Sequence, residues 1–179
     1  MILVADFEAT CWEKRKKDLN EIIEIGIVVC SDNCDILGMF SSVVKPFVNK
    51  RLSEQCIKLT RITQEEVDKS DYLPVVIDKL CFWFADQFSL SITDIKWGSW
   101  GSSDITVLKR DCERHDILYP LGDHVNLESL YCRKENIKGI GATKAIESKG
   151  FIIEGREHRA LDDALNLCKI TRYILDGQD

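Results

Sequence analysis

The chain has 179 residues, of which 45% are hydrophobic and 30% charged, and its net charge at pH 7 is −6. This length and composition indicate a single globular domain over residues 1–179, and no apolar run reaches the roughly 18 residues of a membrane span. The acidic net charge argues against a broad nucleic-acid-binding surface but allows a local one. The N-terminal segment MILVADFEAT has no basic region, so we expect no signal peptide and a cytoplasmic protein without membrane partners.

The first third of the chain has the pattern of a sheet. Residues 2–7, 21–30 and 36–44 predict strands, and the turn SDNCD joins the last two. Pro46 ends the third strand because proline cannot donate a ladder hydrogen bond. The charged residues 13–20 predict a loop.

Helices dominate the remainder. Ser53 predicts the start of a short helix to residue 60, and Thr63 with Glu66 fits a capping box for a helix over 63–70. The further predicted elements, in chain order, are a helix from Pro74 to about residue 88, a strand over 94–100, a helix from Ser102 or Ser103 to about His115, and helices over 126–134, 141–150 (ended by Gly150) and 159–175. This order predicts an α/β domain on a mixed sheet.

The eight cysteines form no CxxC pair. Most of them lie in apolar or helical patterns, which predicts reduced thiols that serve as small apolar side chains. A zinc site is the alternative, but no histidine cluster follows the most closely spaced pair, Cys30 and Cys34.

Asp6 and Glu8 stand two positions apart in the first predicted strand, and therefore on one face of it. Two buried carboxylates repel each other, and burial makes their ionisation costlier still. A shared hard cation such as Mg²⁺ relieves both penalties. The alternative is that both acids face solvent at a sheet edge.

Three further residues are candidates for the same site. Asp104 begins a predicted helix, where it would also complement the helix dipole. Asp163 borders the apolar stripe of the last predicted helix, where an acid needs a partner, whereas Asp162 fits that place less well. A surface or capping role for His158 and an exposed position for Asp163 are the alternatives.

Taken in order, these residues resemble the DEDD exonuclease superfamily, in the branch with a histidine in its last motif (DEDDh). The matching segments are DFEATCW, WGSWGSSDITVLKRDC and HRALDDALN. The resemblance covers residues 2–175, and the segments DFEATCWE and LSEQCIKLTRIT are similar to the Eri-type 3′–5′ exoribonucleases and their bacterial relatives. Those relatives often carry glycine where this chain has Arg61.

The resemblance implies a ribonuclease H-like fold, with a mixed sheet of about five strands flanked by helices. It also implies a metal-dependent 3′–5′ exonuclease that releases nucleoside 5′-monophosphates from single-stranded RNA or DNA 3′ ends. Two Mg²⁺ ions, replaceable by Mn²⁺, would be held by Asp6, Glu8, Asp104 and Asp163. His158 would accept the proton of the attacking water, since an imidazole's ordinary pKa of about 6.5 suits that role.

By the same resemblance, the residues after the acid pair lie near the terminal nucleotide; they are Ala9, Thr10, Cys11 and Trp12. Trp12 would stack on a base, or else pack as an ordinary core or rim residue. A basic run follows, comprising Lys14, Arg15, Lys16 and Lys17. It would contact phosphates, or form a solvated loop between Glu13 and Asp18.

Three other functions are compatible with the sequence. They are a DNA-directed exonuclease, an enzyme for other phosphodiesters such as very short oligonucleotides, and a non-catalytic binding module. The 2′-hydroxyl distinguishes RNA from DNA, but the sequence identifies no residue that would contact it. The binding module is disfavoured because all five positions of the acid and histidine set are filled.

Overall fold

The protein is described by a computed structural model over residues 1–13, 19–33 and 35–176. Within these ranges, five strands form one sheet in the order β3-β2-β1-β4-β5. The strands are β1 (Ile2–Ala9), β2 (Ile22–Cys30), β3 (Ile36–Val43), β4 (Trp97–Ser99) and β5 (His124–Asn126). The β1–β2 and β2–β3 pairs are antiparallel, and the β1–β4 and β4–β5 pairs are parallel. The predicted mixed sheet of about five strands is therefore confirmed.

Helices cover both faces of this sheet. In the described ranges they are α1 (Glu54–Thr60), α2 (Gln64–Lys69), α3 (Leu73–Phe88), α4 (Ser103–His115), α5 (Leu127–Glu135), α6 (Ala142–Ser148) and α7 (Ala160–Leu175). The predicted caps of the two short helices are confirmed, because Ser53 accepts from the Cys56 N–H and Thr63 forms a capping box with Glu66. None of these helices has both the length and the apolar character needed to cross a membrane.

The parallel half of the sheet differs from the sequence prediction. The strand predicted over residues 94–100 is shorter, and a 3₁₀ turn, Ile92–Asp94, precedes it. β5 has no counterpart among the predicted elements. Both strands are three residues long, which is too short to show an alternating pattern. Their positions are set by tertiary pairing, through register partners such as Leu3 with Trp97.

The two faces of β1 contact different apolar layers. Leu3, Ala5 and Phe7 pack in the layer formed with α3 and α4. Ile2 and Val4 pack in the other layer, formed with α5, α6 and α7. Asp6 and Glu8 continue the Ile2–Val4 series, because alternate residues of a strand share a face. The two acids therefore lie on the α7 side of the sheet.

The start of α7 rests directly on β2 at Gly26. A Cβ atom at this glycine would overlap the backbone of Ala160 and Leu161. Gly26 is also the cross-strand partner of Asp6. The close approach of helix and strand therefore brings the first turn of α7 beside the acids of β1.

No disulfide joins the cysteines of the described ranges, and Cys34 lies outside these ranges. Four of them are buried, in keeping with the small apolar role expected from the sequence. The Sγ atoms of Cys30 and Cys168 lie 3.2 Å apart between β2 and α7.

Candidate active site

Four carboxylates from three elements meet at one end of the sheet. Asp6 and Glu8 lie on β1, while Asp104 and Asp163 lie in the first turns of α4 and α7. Glu8 is 8% exposed and Asp6 is half-buried, and β1 is paired on both sides, with β2 and β4, which rules out the alternative of two acids at a solvent-facing sheet edge. The pKa of Asp6 lies well above its ordinary range because of burial and, after that, because of the charges of the other three acids.

Asp104 is fixed by the strand that it faces. Its Oδ1 accepts a hydrogen bond of 3.1 Å from the backbone N–H of Phe7, the residue between the two acids of β1. Phe7 in turn packs into the apolar layer with α3 and α4. The start of α4 is thereby tied to β1, and the Asp104 carboxylate is more than a charge that complements the helix dipole.

His158 lies in the turn before α7, in a left-handed conformation with a φ of 63°. Its backbone N–H donates to Asp163 Oδ2 over 2.8 Å. Ligand atoms of Glu8, His158 and Asp163 all lie within 4.8 Å of one another. A residue other than glycine with positive φ is uncommon, although histidine adopts this conformation more often than most, and such residues concentrate at functional sites. The structure therefore brings together all five residues predicted for the catalytic site.

Burial and mutual repulsion make the full ionisation of this cluster unfavourable. Burial, with the charges of nearby acids, raises the pKa of Glu8 to about 8. Burial also raises the pKa values of Asp104 and Asp163 to about 6, although each accepts a backbone hydrogen bond. Hard divalent cations prefer carboxylate oxygens and would relieve both the desolvation and the repulsion. The donor set therefore fits such ions.

Two residues that the sequence analysis did not single out hold the site in place. The Glu24 carboxylate accepts from Arg159 Nη2 over 2.6 Å, from Arg159 Nε over 3.0 Å and from the Ala160 N–H over 2.8 Å. Glu24 therefore caps α7, which lacks a side-chain cap of its own at its N-terminus. The signal in the sequence is one acid inside the apolar strand IIEIGIVVC.

The four residues predicted to contact the terminal nucleotide have different surroundings. Ala9 lines a cavity of about 350 Å³ that Asp104 also lines. The Thr10 side chain is buried and its hydroxyl accepts from the Glu21 N–H over 2.9 Å, so it faces the protein interior. The Cys11 carbonyl accepts from the Ser53 hydroxyl over 2.5 Å, and Trp12 is half-buried.

Burial and the neighbouring Cys56 raise the pKa of the Cys11 thiol to about 12, so this thiol stays protonated at neutral pH. The basic run of Lys14, Arg15, Lys16 and Lys17 lies outside the described residues.

Sequence comparisons agree with the motif order. Residues 3–171 match the sequence profile of the RNase_T family, which is described as "Exonuclease". The 3′-5′ exoribonuclease 1 of Rattus norvegicus is 33% identical over 186 residues, a match that covers 98% of this chain and 53% of that protein. The probable 3′-5′ exonuclease KapD of Bacillus subtilis (strain 168) is 32% identical over 180 residues, covering 97% of this chain and 83% of KapD.

The fold comparison gives the same family. The nuclease domain of 3′hExo, described as a DEDDh family member bound to rAMP, superimposes with a TM-score of 0.89 at 31% identity. The match covers 98% of this chain and 92% of that domain, which confirms the predicted ribonuclease H-like fold. At 53% coverage, the chain spans about half the length of the rat exoribonuclease that it matches.

Proposed function

Because the chain belongs to the RNase_T family of exonucleases, we propose that it is a metal-dependent 3′–5′ exonuclease that acts on single-stranded RNA 3′ ends. The observation that carries this proposal is the convergence of four carboxylates and His158 at one end of the sheet. Support for RNA over DNA comes from the relatives, which include an exoribonuclease and a nuclease domain bound to a ribonucleotide. The product would be a nucleoside 5′-monophosphate.

Membership of this family implies divalent metal ions, and we propose two Mg²⁺ ions, with Mn²⁺ as a substitute. Asp6, Glu8, Asp104 and Asp163 would hold them, because their clustered carboxylate oxygens form a hard ligand set whose ionisation a divalent cation would favour. When bound, such ions supply charge neutralisation at the phosphate and lower the pKa of the attacking water.

His158 is the proposed general base. The left-handed turn and the bond from its backbone N–H to Asp163 fix the backbone of His158, and a ring nitrogen lies within 4.8 Å of carboxylate oxygens of Glu8 and Asp163. The ring nitrogens remain available to accept the proton of the attacking water, since the bond to Asp163 is made by the backbone rather than by the ring. Asp163 therefore has two proposed roles, as a metal ligand and as the residue that holds the turn carrying the base.

The 3′-terminal nucleotide is proposed to bind against Ala9, in the cavity that Asp104 also lines. This placement brings the last phosphodiester next to the acids, because the Asp104 carboxylate belongs both to the cavity and to the cluster. The Trp12 side chain is the proposed stacking partner for a base. The interior position of the Thr10 hydroxyl limits that residue to a backbone contact.

A cleavage time course tests the proposal. Matched 5′-labelled single-stranded RNA and DNA are incubated with Mg²⁺ or Mn²⁺, and with EDTA, using wild type, Asp6→Ala and the exposed-site control Asp78→Ala. We expect a ladder that shortens from the 3′ end, faster on RNA, and is abolished by EDTA and by Asp6→Ala but not by Asp78→Ala.

Each other result contradicts a separate part of the proposal. Faster cleavage of DNA would identify a DNA-directed enzyme. Full activity of Asp6→Ala would show that the acids of β1 are not the catalytic site. Binding of RNA without any ladder would identify a non-catalytic module.

A further inference from the structure

A cleft of about 580 Å³ opens beside His158, between α1 and the turn that precedes α7. The residues that give the cleft its charge and polarity are Lys58, Leu59, Arg61, Arg156, Glu157 and His158. His158 belongs both to this cleft and to the acid cluster, because its ligand atom lies within 4.8 Å of those of Glu8 and Asp163. A polymer whose end lies at the acids therefore has a direct path into the cleft.

Three of the lining side chains are cationic. Lys58, Arg61 and Arg156 are exposed, and none of them forms an ion pair with a residue in the described ranges. Arg159, close by in the sequence, differs because it is bound to Glu24. Two carboxylates accompany these three cations: Glu157 lines the cleft, and Asp162 accepts from the Arg156 N–H at its edge over 2.8 Å. The cations still outnumber the acids there, in a chain whose net charge is −6.

The backbone of Arg61 adopts a conformation that favours glycine. Arg61 ends α1 with a φ of 57°. In the described ranges the non-glycine residues with positive φ are Arg61, Ser89, Asp116, Asn136 and His158. Three of these have short polar side chains, which tolerate the left-handed region better than long ones. The two large ones, Arg61 and His158, both line the same cleft.

We propose that Arg61 is a substrate-binding residue that contacts a phosphate of the nucleic-acid strand on the 5′ side of the scissile bond, with Lys58 and Arg156 beside it. This inference rests on the exonuclease function proposed above. A guanidinium binds phosphate through two parallel N–H donors, which fits a chain of phosphodiesters better than a point charge does. The turn itself does not require an arginine, because glycine would hold it with less strain.

The variant Arg61→Gly distinguishes a binding role from a structural one. It removes the side chain, which should weaken RNA binding, and it relieves the backbone strain, which should raise stability. On a 5′-labelled single-stranded oligo-RNA we expect KM to rise roughly tenfold while kcat changes little. On a dinucleotide, whose only phosphate is the scissile one, we expect the effect on KM to fall below about twofold. The Tm should rise by roughly 2–4 °C as the left-handed strain is lost.

Two further variants serve as controls. Arg61→Lys keeps the charge without the two parallel donors, and Arg133→Ala removes an equal charge from an exposed position near the end of α5. RNA affinity is measured in EDTA, where cleavage does not interfere, over a salt range of roughly 50–200 mM. Arg61→Gly should reduce the slope of log K against log salt by about 0.7, the value for one phosphate contact on a single strand.

The outcomes separate this inference from the function on which it rests. An unchanged KM and salt slope for Arg61→Gly, or an equal change in Arg133→Ala, would overturn the phosphate contact. The proposed exonuclease function would still stand if the wild-type protein produced a ladder. A lower Tm with equal losses on both substrates would make Arg61 a structural residue and also overturn the phosphate contact. RNA binding without cleavage would reject the exonuclease and leave the salt slope as the test of Arg61. Wild type that binds no RNA would reject both.

Discussion

Glu8 on β1 and Glu24 on β2 are partners across the antiparallel ladder, and both are buried. Glu24 accepts hydrogen bonds from the Arg159 guanidinium and from the backbone of Ala160. Glu8 accepts none from the residues that the structure describes, and its neighbours include three other carboxylates, among them Asp163 and Glu24 itself. The same residue type on adjacent strands is thus supplied with donors in one position and left without them in the other.

This difference distinguishes a structural acid from one that requires a ligand. A buried carboxylate with its own donors joins two elements, here β2 and α7. A buried carboxylate without donors destabilises the folded chain unless it is protonated or a cation binds. We therefore expect changes at Glu24 and its surroundings to affect folding first, and changes at Glu8 to affect chemistry first.

The largest expected effect comes from Gly26→Ala. This substitution disrupts the close packing of α7 on β2, which brings Arg159 and Ala160 within hydrogen-bonding distance of Glu24. The added Cβ would overlap the backbone of Ala160 and Leu161, which cannot rotate away as a side chain can. We expect the free energy of unfolding to fall by about 3 kcal/mol or more, with activity lost through displacement of His158. Thermal unfolding followed by circular dichroism measures this change.

Gly38→Ala is the matched control on β3. Its added Cβ would meet the tips of Phe88 and Trp83 at 3.1 and 3.3 Å, and these side chains can shift. A Gly26→Ala protein as stable as Gly38→Ala would show that the α7 contact with β2 is looser than the structure indicates.

The sequence predicted the residues of the site more completely than it predicted the strands of the sheet. Asp6, Glu8, Asp104, His158 and Asp163 were predictable because motif order survives in the sequence even where each residue is ambiguous alone. β5 was not predictable, because a three-residue strand has no period of its own and is placed by its neighbour β4. The packing role of Gly26 was not predictable either, since it depends on contact with a helix more than 130 positions later in the sequence, at Ala160.

A smaller effect on stability, which differs between the two positions, is expected from the pair Glu24→Gln and Glu8→Gln. Glu24→Gln leaves the Arg159 guanidinium without its charge partner, and we expect a loss of about 2 kcal/mol of unfolding free energy, since the pair is partly open to solvent. Glu8→Gln removes a repulsion, so unfolding free energy in EDTA should stay equal or rise. Thermal unfolding of both variants in EDTA measures the contrast.

Activity should respond in the opposite order. Glu8→Gln is expected to lower kcat by at least about a hundredfold, the size of effect that follows the loss of one electrostatic contact to a transition state. Glu24→Gln should retain more activity at a temperature where it is fully folded, because the Glu24 carboxylate is bound by Arg159 and the Ala160 N–H. Equal kcat losses would indicate that Glu24 also participates in the chemistry.

The smallest expected effect is the pH dependence of stability in metal-free protein. The pKa of Glu8 is about 8 in the folded chain, against an ordinary value of 4.5, so the folded state holds its proton more tightly than the unfolded state. Stability from this group is therefore complete below about pH 4.5 and is lost as the pH rises through about 8.

Between pH 5 and 8 in EDTA we expect the unfolding free energy of wild type to fall by about 1 kcal/mol relative to Glu8→Gln, allowing for water at the open side of the cluster. Taking this difference cancels the contributions of Asp111, His115 and His124, whose pKa values are also shifted. The difference therefore reports the titration of the acid cluster that Glu8 shares with Asp6, Asp104 and Asp163. Adding Mg²⁺ at pH 8 should restore the stability of wild type more than that of Glu8→Gln, and parallel profiles with and without Mg²⁺ would mean that Glu8 is neither repelled nor a ligand.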